Sequence, residues 1–208
     1  MERSERDGKL VIRDMATLCE DLVKKAGLTF DDIEYAGIAS PGTANPVTGY
    51  IEYANNLNFK DFPIADILKS YIPIKKVLVE NDANAAAKGE AVAGAAKGVK
   101  DAIMITLGTG VGSGIVINGQ LVYGCDGFAG ELGHVTMVRG KEGRKCGCGS
   151  RGCLEAYCSA TGVARTAKEI LKSDKTPSAL RGIKNITSYD VYLAAKAGDK
   201  IAKEIFKQ

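Results

Sequence analysis

The first regular feature of the chain is a helical repeat of apolar residues close to its beginning. Apolar side chains recur there every three or four positions, at Ile12, Met15, Cys19, Leu22 and Val23. This spacing places them on one face of an α-helix. Gly27 follows the repeat, and glycine commonly ends a helix. We therefore predict an amphipathic helix over residues 11–26, whose apolar face serves packing.

Short apolar runs after this helix have the length of buried strands. Residues 33–40 and 74–80 are such runs, and the segment 41–49, which contains Pro and Gly, predicts a loop after the first of them. Residues 82–97 are rich in alanine and precede Gly98, which predicts a helix. The first half of the chain is thus predicted to alternate strands with helices, as α/β proteins do.

The second half begins with a strand, a glycine-rich loop and a hairpin. Residues 102–107 form an apolar run of strand length, and residues 108–114 have the sequence Gly-Thr-Gly-Val-Gly-Ser-Gly. The dipeptide Asn118–Gly119 then lies between two short apolar runs, a position at which Asn-Gly predicts a two-residue hairpin turn. Helical patterns return after Ser159 and again from residue 188.

The composition is that of a globular protein. With 45% hydrophobic and 25% charged residues over 208 positions, the chain can bury a core and form one or two domains. The net charge is only +3, and the Lys and Arg residues are spread among acidic ones, so we expect no nucleic-acid partner. No apolar stretch reaches the roughly 18 residues of a membrane helix. The first residues also lack a secretory signal, so we expect a cytoplasmic protein without membrane contact.

The glycine run at residues 108–114 is a candidate phosphate loop. Glycine leaves backbone N–H groups open to phosphate oxygens, and Thr109, between Gly108 and Gly110, adds a hydroxyl donor. A flexible turn between strands is the alternative. A hairpin rather than a helix follows the run, which disfavours a dinucleotide-binding fold, and no Gly-Lys-Ser/Thr closes it as in a P-loop. The remaining interpretation is a phosphate-binding cradle formed by a glycine loop between two strands.

One histidine and three cysteines form a candidate metal site. His134 precedes Cys146, Cys148 and Cys153 in a Gly-rich segment without apolar periodicity. One imidazole and three thiolates are the ligands of a closed tetrahedral zinc site, and four protein ligands indicate a structural rather than a catalytic ion. Free thiols in a tight loop are the alternative. The other cysteines are predicted to pack as small hydrophobic residues, namely Cys19, Cys125 and Cys158.

Three carboxylates lie at positions suited to ligand contact. Asp82 follows Asn81 where a strand is predicted to meet a helix, the edge at which open α/β sheets bind ligands. Asp82 is there a candidate acceptor of a hydroxyl proton, and helix capping is its alternative role. Glu131 lies three residues before His134, and Glu155 follows the last cysteine of the cluster by two. Both are candidate ligand contacts, with plain surface solvation as the alternative.

Together these motifs resemble the ROK family of bacterial repressors, open reading frames and sugar kinases, and its glucokinase branch most. Residues 131–134 (Glu-Leu-Gly-His) and 146–155 (Cys-Gly-Cys-Gly-Ser-Arg-Gly-Cys-Leu-Glu) are similar to the family's signature and zinc motif. Residues 80–86 (Glu-Asn-Asp-Ala-Asn-Ala-Ala) resemble its catalytic-aspartate motif, and residues 107–114 its second phosphate loop. The similarity extends over nearly the whole chain.

The resemblance implies an actin-like, ribonuclease-H-type α/β fold of two lobes, here residues 1–99 and 100–208. It implies transfer of the terminal phosphate of ATP to a hexose, with Asp82 as the base, magnesium on the nucleotide, and structural zinc. The implied sugar contacts are Gly42, Thr43, Asn56 (or Asn55), Asn81, Asp82, Glu131, His134 and Glu155, and the implied ATP contacts are Gly108, Thr109 and Gly110. We also expect a homodimer or homotetramer.

The chain departs from the family at both ends. Members ordinarily begin with a strand and an Asp-x-Gly-Gly-Thr phosphate loop, and they end with an adenosine-binding stretch and further helices. Neither is present in this sequence. We therefore expect a chain truncated at both ends, whose 208 residues do not phosphorylate sugar efficiently by themselves.

Two other functions remain as alternatives. Some relatives are sugar-sensing transcription regulators that carry an N-terminal helix-turn-helix. None is present in this sequence, but truncation accounts for that equally well, so the phosphate loop and Asp82 are what favour a kinase. Four basic residues around the cysteines also suggest a small nucleic-acid-binding zinc module, namely Lys141, Arg144, Lys145 and Arg151. Such a module does not require the α/β lobes. Among kinases, the resemblance favours glucose, with fructose, mannose, N-acetylmannosamine and allose as alternative substrates.

Overall fold

The structure is a computed structural model that describes residues 8–54 and 57–207. The chain divides into two compact units, one ending at Lys97 and the other beginning at Gly98. Within the described ranges, no helix combines the length and the apolar character needed to cross a membrane.

The described residues of the first unit form two small sheets, three α-helices and a short 3-10 helix at Phe30–Asp32. Its elements are α1 (Gly8–Lys25), β1 (Ala36–Ser40), β2 (Thr43–Asn45), β3 (Tyr50–Ala54), β4 (Phe59–Phe62), α2 (Ile64–Tyr71), β5 (Val77–Asn81) and α3 (Asp82–Ala93). Strands β1 and β5 pair in parallel, whereas β2, β3 and β4 form an antiparallel meander. The parallel pair is connected through the meander and α2, so the carboxyl ends of β1 and β5 meet at the same edge.

The predicted first helix is confirmed as α1, and its apolar face belongs to the core. Ile12 and Ala16 are buried in one cluster with residues of α2 and of both sheets. Leu22 was predicted on the same apolar face, but 64% of it is exposed, since only the first turns of the helix reach the core. Lys24 and Lys25 occupy the last turn, where positive charge interacts favourably with the helix dipole.

The loop predicted over residues 41–49 was partly wrong. Three of its residues form β2, which pairs with β3 across a register irregularity between Thr43 and Ala44. A strand of three residues is too short to show an alternating pattern, so its pairing partner rather than its own sequence reveals it. Strands β3 and β4 and helix α2 were not predicted either.

The second unit combines an antiparallel sheet with a helical cluster. Its elements are β6 (Ala102–Leu107), β7 (Val111–Ile117), β8 (Gln120–Leu121), α4 (Glu155–Cys158), α5 (Ala160–Ser173), α6 (Ser188–Lys196) and α7 (Lys200–Ile205). The turn predicted at Asn118–Gly119 is confirmed, with φ of 51° and 75°, the left-handed backbone that such hairpins require. The glycine loop is shorter than predicted, because β7 already begins at Val111.

The helical cluster has its own core and well-defined helix ends. Leu180 and Val191 are fully buried beside residues of α5 and α7. The side chain of Ser159 accepts a hydrogen bond from the Gly162 N–H and so caps α5. This cap fixes the start of α5 directly after α4, the short helix that begins with Glu155.

Candidate functional site

In the first unit, Asn81 rather than Asp82 caps the helix α3. The side-chain oxygen of Asn81 accepts hydrogen bonds from the N–H groups of Ala83 and Asn84, at 2.9 and 3.1 Å. Asp82 is therefore the first residue of the helix, and its exposed carboxylate accepts a hydrogen bond from Ala83 at 2.9 Å. The capping role considered for Asp82 was thus wrong, since the preceding residue fills it and leaves the Asp82 side chain at the surface.

Asn81 also connects this junction to the predicted sugar loop. Its amide group donates a hydrogen bond to the carbonyl oxygen of Gly42 at 3.0 Å. Gly42 has φ of 88° and lies against the backbone of Tyr53, so a side chain there meets both strain and a clash. Thr43 begins β2 beside it. The predicted contact Asn56, like its alternative Asn55, lies outside the described residues.

The glycine loop of the second unit is held in place from one side. The carbonyl oxygens of Gly108 and Thr109 accept hydrogen bonds from the Ala160 N–H at 2.9 Å and from the Thr161 hydroxyl at 3.2 Å. Within the described part of the chain, the N–H groups of Thr109 and Gly110 have no hydrogen-bond partner. The start of α5 thus anchors the loop through its carbonyl groups, while two N–H donors are left for an anion.

The four predicted metal ligands lie together in the second unit. The ligand atoms of His134, Cys146, Cys148 and Cys153 all lie within 4.8 Å of one another. The sulfurs of Cys148 and Cys153 are 3.7 Å apart, as are the Cys146 sulfur and the His134 Nδ1. A disulfide requires about 2.05 Å. Zinc–sulfur bonds of about 2.3 Å in a tetrahedron place neighbouring ligands roughly 3.8 Å apart.

The surroundings of the Cys153 thiol also fit a metal. Burial, together with the neighbouring sulfurs of Cys148 and Cys146, raises the pKa of the Cys153 thiol to about 12. A thiolate at this position therefore needs an adjacent cation to be stable at neutral pH. Zinc would supply that charge, held by His134 and the three cysteines, and its role with four protein ligands is structural.

Two of the remaining cysteines were assigned wrongly. Cys125 and Cys158 are exposed, whereas Cys19 packs partly against the core of the first unit, as predicted. Cys158 ends the short helix α4 at the surface. Free cysteine is commonly buried in proteins, but the position of each cysteine within its element decides whether its side chain is buried or exposed.

The predicted sugar contact Glu131 lies next to the metal cluster. One carboxylate oxygen of Glu131 is 3.7 Å from the Nε2 of His134, whose other ring nitrogen faces Cys146. Both side chains are partly exposed, at 41% and 35%. Ser113 in β7 supports this segment, because its hydroxyl donates to the Gly130 carbonyl and accepts from the Leu132 N–H.

The predicted sugar contact Glu155 connects the metal cluster to the glycine loop. Its Oε2 accepts a hydrogen bond from the Val111 N–H at 2.9 Å, and its Oε1 is 3.8 Å from the sulfur of Cys146. A Cβ at Gly110 would collide with this carboxylate, so a larger residue there would displace the Glu155 side chain from its present position. The first residue of α4 thereby reaches the end of the candidate phosphate loop.

Arg144 is a residue whose part in this arrangement was missed. Only 11% of its side chain is exposed, and its guanidinium donates to the Ala156 carbonyl at 3.1 Å, the Thr166 hydroxyl at 2.8 Å and the Glu169 carboxylate at 2.7 Å. The group also lies 4.5 Å from the centre of the Tyr157 ring. Arg144 thus attaches the cysteine-rich segment to α4 and α5. In the sequence it is one basic residue among several, which gives no signal of burial.

Comparison with known proteins identifies the family. The family model described as "ROK family" matches residues 5–208. A glucokinase of Halalkalibacterium halodurans is 39% identical over 201 residues, which cover 95% of this chain and 60% of that protein. A xylose repressor of Caldicellulosiruptor bescii is 32% identical over 199 residues, covering 95% of this chain and 49% of the repressor. The chain therefore spans about half to three fifths of these relatives.

A solved structure supports the same relationship. The crystal structure of a ROK family glucokinase from Streptomyces griseus, in complex with glucose and AMPPNP, matches with a TM-score of 0.77 and 33% identity. The match covers 98% of this chain and 64% of that one. With the family model, the relatives and this structure in agreement, the chain belongs to the ROK family and has its actin-like α/β fold.

Proposed function

We propose that the protein to which this chain belongs transfers the terminal phosphate of ATP to a hexose, with glucose as the preferred substrate. The observation that carries the proposal is the exposure of the Asp82 carboxylate at the start of α3. Asn81 caps this helix, so the Asp82 side chain is not needed as the cap. A general base needs such an accessible carboxylate within reach of a substrate hydroxyl. The similar glucokinases support the choice of reaction.

The described residues fall into three roles in this reaction. Asp82 accepts the proton of the attacking sugar hydroxyl, while Asn81 holds Gly42 and the helix end beside it. Glu131, His134 and Glu155 bind other sugar hydroxyls through their carboxylate and imidazole groups. The N–H groups of Thr109 and Gly110 donate hydrogen bonds to phosphate oxygens of ATP. Magnesium neutralises the remaining negative charge of these phosphates. Phosphoryl transfer depends mainly on such positioning.

Zinc has an indirect part in the proposal. Cys146 contacts Glu155 and His134 lies beside Glu131, so a bound zinc would fix both glutamates relative to each other. Residues next to metal ligands are commonly oriented in this way.

A sugar-sensing regulator is the second candidate function. Its supporting observation is the similarity to xylose repressors, which extends over 95% of the chain in one case. A regulator needs the sugar contacts but not the base, so the exposed carboxylate of Asp82 and the open N–H groups of the glycine loop favour the kinase.

The test is a coupled assay of sugar-dependent ATP consumption with glucose, fructose, mannose, N-acetylmannosamine and allose. The assay compares two proteins. One is the 208-residue chain, and the other, called the extended protein, has additional residues that bring it to the length of the glucokinase relatives. We expect glucose to give the highest kcat/KM in the extended protein and little turnover in the shorter chain. Sugar binding without ATP consumption in the extended protein would support the regulator instead.

A further inference from the structure

Next to the cysteine-rich segment lies a cavity with a strongly cationic lining. It has a volume of about 470 Å³ and is bordered by residues 141–145, by Tyr157 of α4 and by two residues of α5. Five lining residues are cations, namely Lys141, Arg144, Lys145, Arg151 and Arg165. The only acidic lining residues are Glu142 and Glu169. None of the residues assigned above to sugar or ATP borders this cavity.

Only part of this positive charge is balanced within the protein. Glu169 is shared by two guanidinium groups, those of Arg144 at 2.7 Å and Arg165 at 2.8 Å. Burial would raise the pKa of Glu169, but the hydrogen bonds from Arg165 and Arg144 lower it overall, so the two guanidinium groups stabilise its negative charge. Among the described residues, no carboxylate forms an ion pair with Lys141 or Lys145.

We propose that this cavity binds a small phosphate-bearing molecule at a site separate from the sugar and nucleotide positions. A concave surface with one sign of charge concentrates counter-ions of the opposite sign. The guanidinium group of Arg165 and the ammonium groups of Lys141 and Lys145 are suitable donors to phosphate oxygens. Arg144 is held rigidly in the cavity wall, because its guanidinium donates hydrogen bonds to other groups of the protein. The volume falls within the roughly 300–1,000 Å³ of small-molecule pockets.

The lining favours a small molecule over a nucleic acid. Single-stranded nucleic acids bind by stacking their bases on exposed aromatic rings along a basic groove. Tyr157 is the one aromatic residue of the lining, and the guanidinium of Arg144 covers its ring at 4.5 Å. The Tyr157 hydroxyl is also occupied, since it accepts a hydrogen bond from the Arg144 N–H at 3.0 Å. The one aromatic ring of the lining therefore has a face already covered by a protein cation, and the lining offers no row of rings on which successive bases could stack.

The experiment is a calorimetric titration of the zinc-loaded chain with inorganic phosphate and with glucose 6-phosphate. We expect saturable binding with a Kd of about 1 mM or below. The double variant Lys141→Gln/Lys145→Gln should weaken binding at least about tenfold. The matched control is Lys168→Gln/Lys172→Gln, which removes the same charge from exposed positions of α5 outside the cavity and should change the Kd less than about twofold.

Several outcomes would overturn the proposal. One is no saturation by either compound up to about 20 mM. Another is equal weakening in both double variants, which would mean attraction by net charge alone. Binding of an oligonucleotide, but not of phosphate, that depends on Lys141 and Lys145 would assign the surface to nucleic acid. If the double variant loses zinc, the single variant Lys141→Gln replaces it in the titration, because Lys141 lies five positions before the ligand Cys146. All these measurements are independent of kinase activity.

Discussion

The carboxylate of Glu155 accepts a hydrogen bond from the backbone N–H of Val111 at 2.9 Å, across 44 positions of sequence. Val111 is the first residue of β7 and directly follows the candidate phosphate loop, whereas Glu155 begins α4 directly after the cysteine-rich segment. The other oxygen of the same carboxylate lies 3.8 Å from the Cys146 sulfur. A single side chain therefore contacts both the metal cluster and the glycine loop.

We expect Glu155→Ala to loosen the glycine loop. The variant removes the acceptor of the Val111 N–H, which should increase hydrogen exchange of that N–H by roughly tenfold, the equivalent of about 1.4 kcal/mol. Glu142→Ala is the control, since Glu142 is exposed in the same region and lies far from this bond in sequence. Unchanged exchange in Glu155→Ala would show that the bond is not formed in solution.

Zinc should bind with one ion per chain and depend on Cys148. The variant Cys148→Ser removes one of the four ligands. We expect it to lower the zinc affinity by more than the roughly 100-fold that is typical of losing a residue that only supports a ligand. Cys158→Ser is the control, because Cys158 is an exposed free thiol outside the cluster. Metal analysis after gel filtration gives the stoichiometry, and a chelator should lower Tm for the wild type and Cys158→Ser but not for Cys148→Ser. A metal-free wild type, purified without chelator, contradicts the assignment.

Two arginines that share Glu169 should differ in their effect on stability. Arg144→Met leaves the acceptors Ala156 and Thr166 without their buried donor, so we expect a loss of about 2 kcal/mol in the free energy of unfolding. Arg165 is 48% exposed and bonds to Glu169 alone, so Arg165→Met should cost about 0.5 kcal/mol. Urea denaturation measures both values. Equal losses would mean that Arg144 is not buried as described.

Asp82→Asn should impair turnover without harming the fold. If Asp82 is the base, kcat in the extended protein should fall by about 10² to 10⁴. Stability should change little, since Asp82 is exposed and Asn81 provides the cap. Asp66→Asn, an exposed aspartate in the first turn of α2, is the matched control and should retain normal turnover. A variant with normal kcat would make Asp82 a structural residue only.

Asp199 should make the stability of the second unit depend on acidic pH. It caps α7 through the Ala202 N–H at 3.0 Å and also accepts from the Ala179 N–H at 2.8 Å. Partial burial would raise its pKa, but these hydrogen bonds lower it overall. A lowered pKa in the folded state means that the stabilisation is present above the unfolded value of about 3.9 and is lost as the pH falls through the folded value.

The corresponding variant is Asp199→Ala, expected to be about 1 kcal/mol less stable than the wild type at pH 7. The difference in free energy of unfolding should shrink as the pH drops below about 4, because protonated Asp199 no longer stabilises the helix end. Urea denaturation of both proteins at several pH values measures it. A difference that is constant with pH would show that Asp199 acts without its charge.

The sequence by itself determined the features that arise from fixed local spacing. The apolar repeat around Ile12 predicted α1, and Asn118–Gly119 predicted the hairpin turn, since each depends only on neighbours along the chain. The spacing of Cys146, Cys148 and Cys153 predicted a cluster for the same reason, and the structure brings His134 to it. Family resemblance added Gly42, Thr43 and Asn56 to the candidate site residues and gave the candidates specific roles, which stay proposals.

Only the tertiary structure decided which side chains are occupied and which are open. Whether Asn81 or Asp82 caps α3 depends on where the strand ends, and both residue types are good caps. The burial of Arg144 and the exposure of Cys125 follow from the packing of distant segments, which leaves no trace in local spacing. The bond between Glu155 and Val111 joins residues 44 positions apart. Such contacts form only when the chain folds, because loop closure and packing rather than local preference bring their partners together.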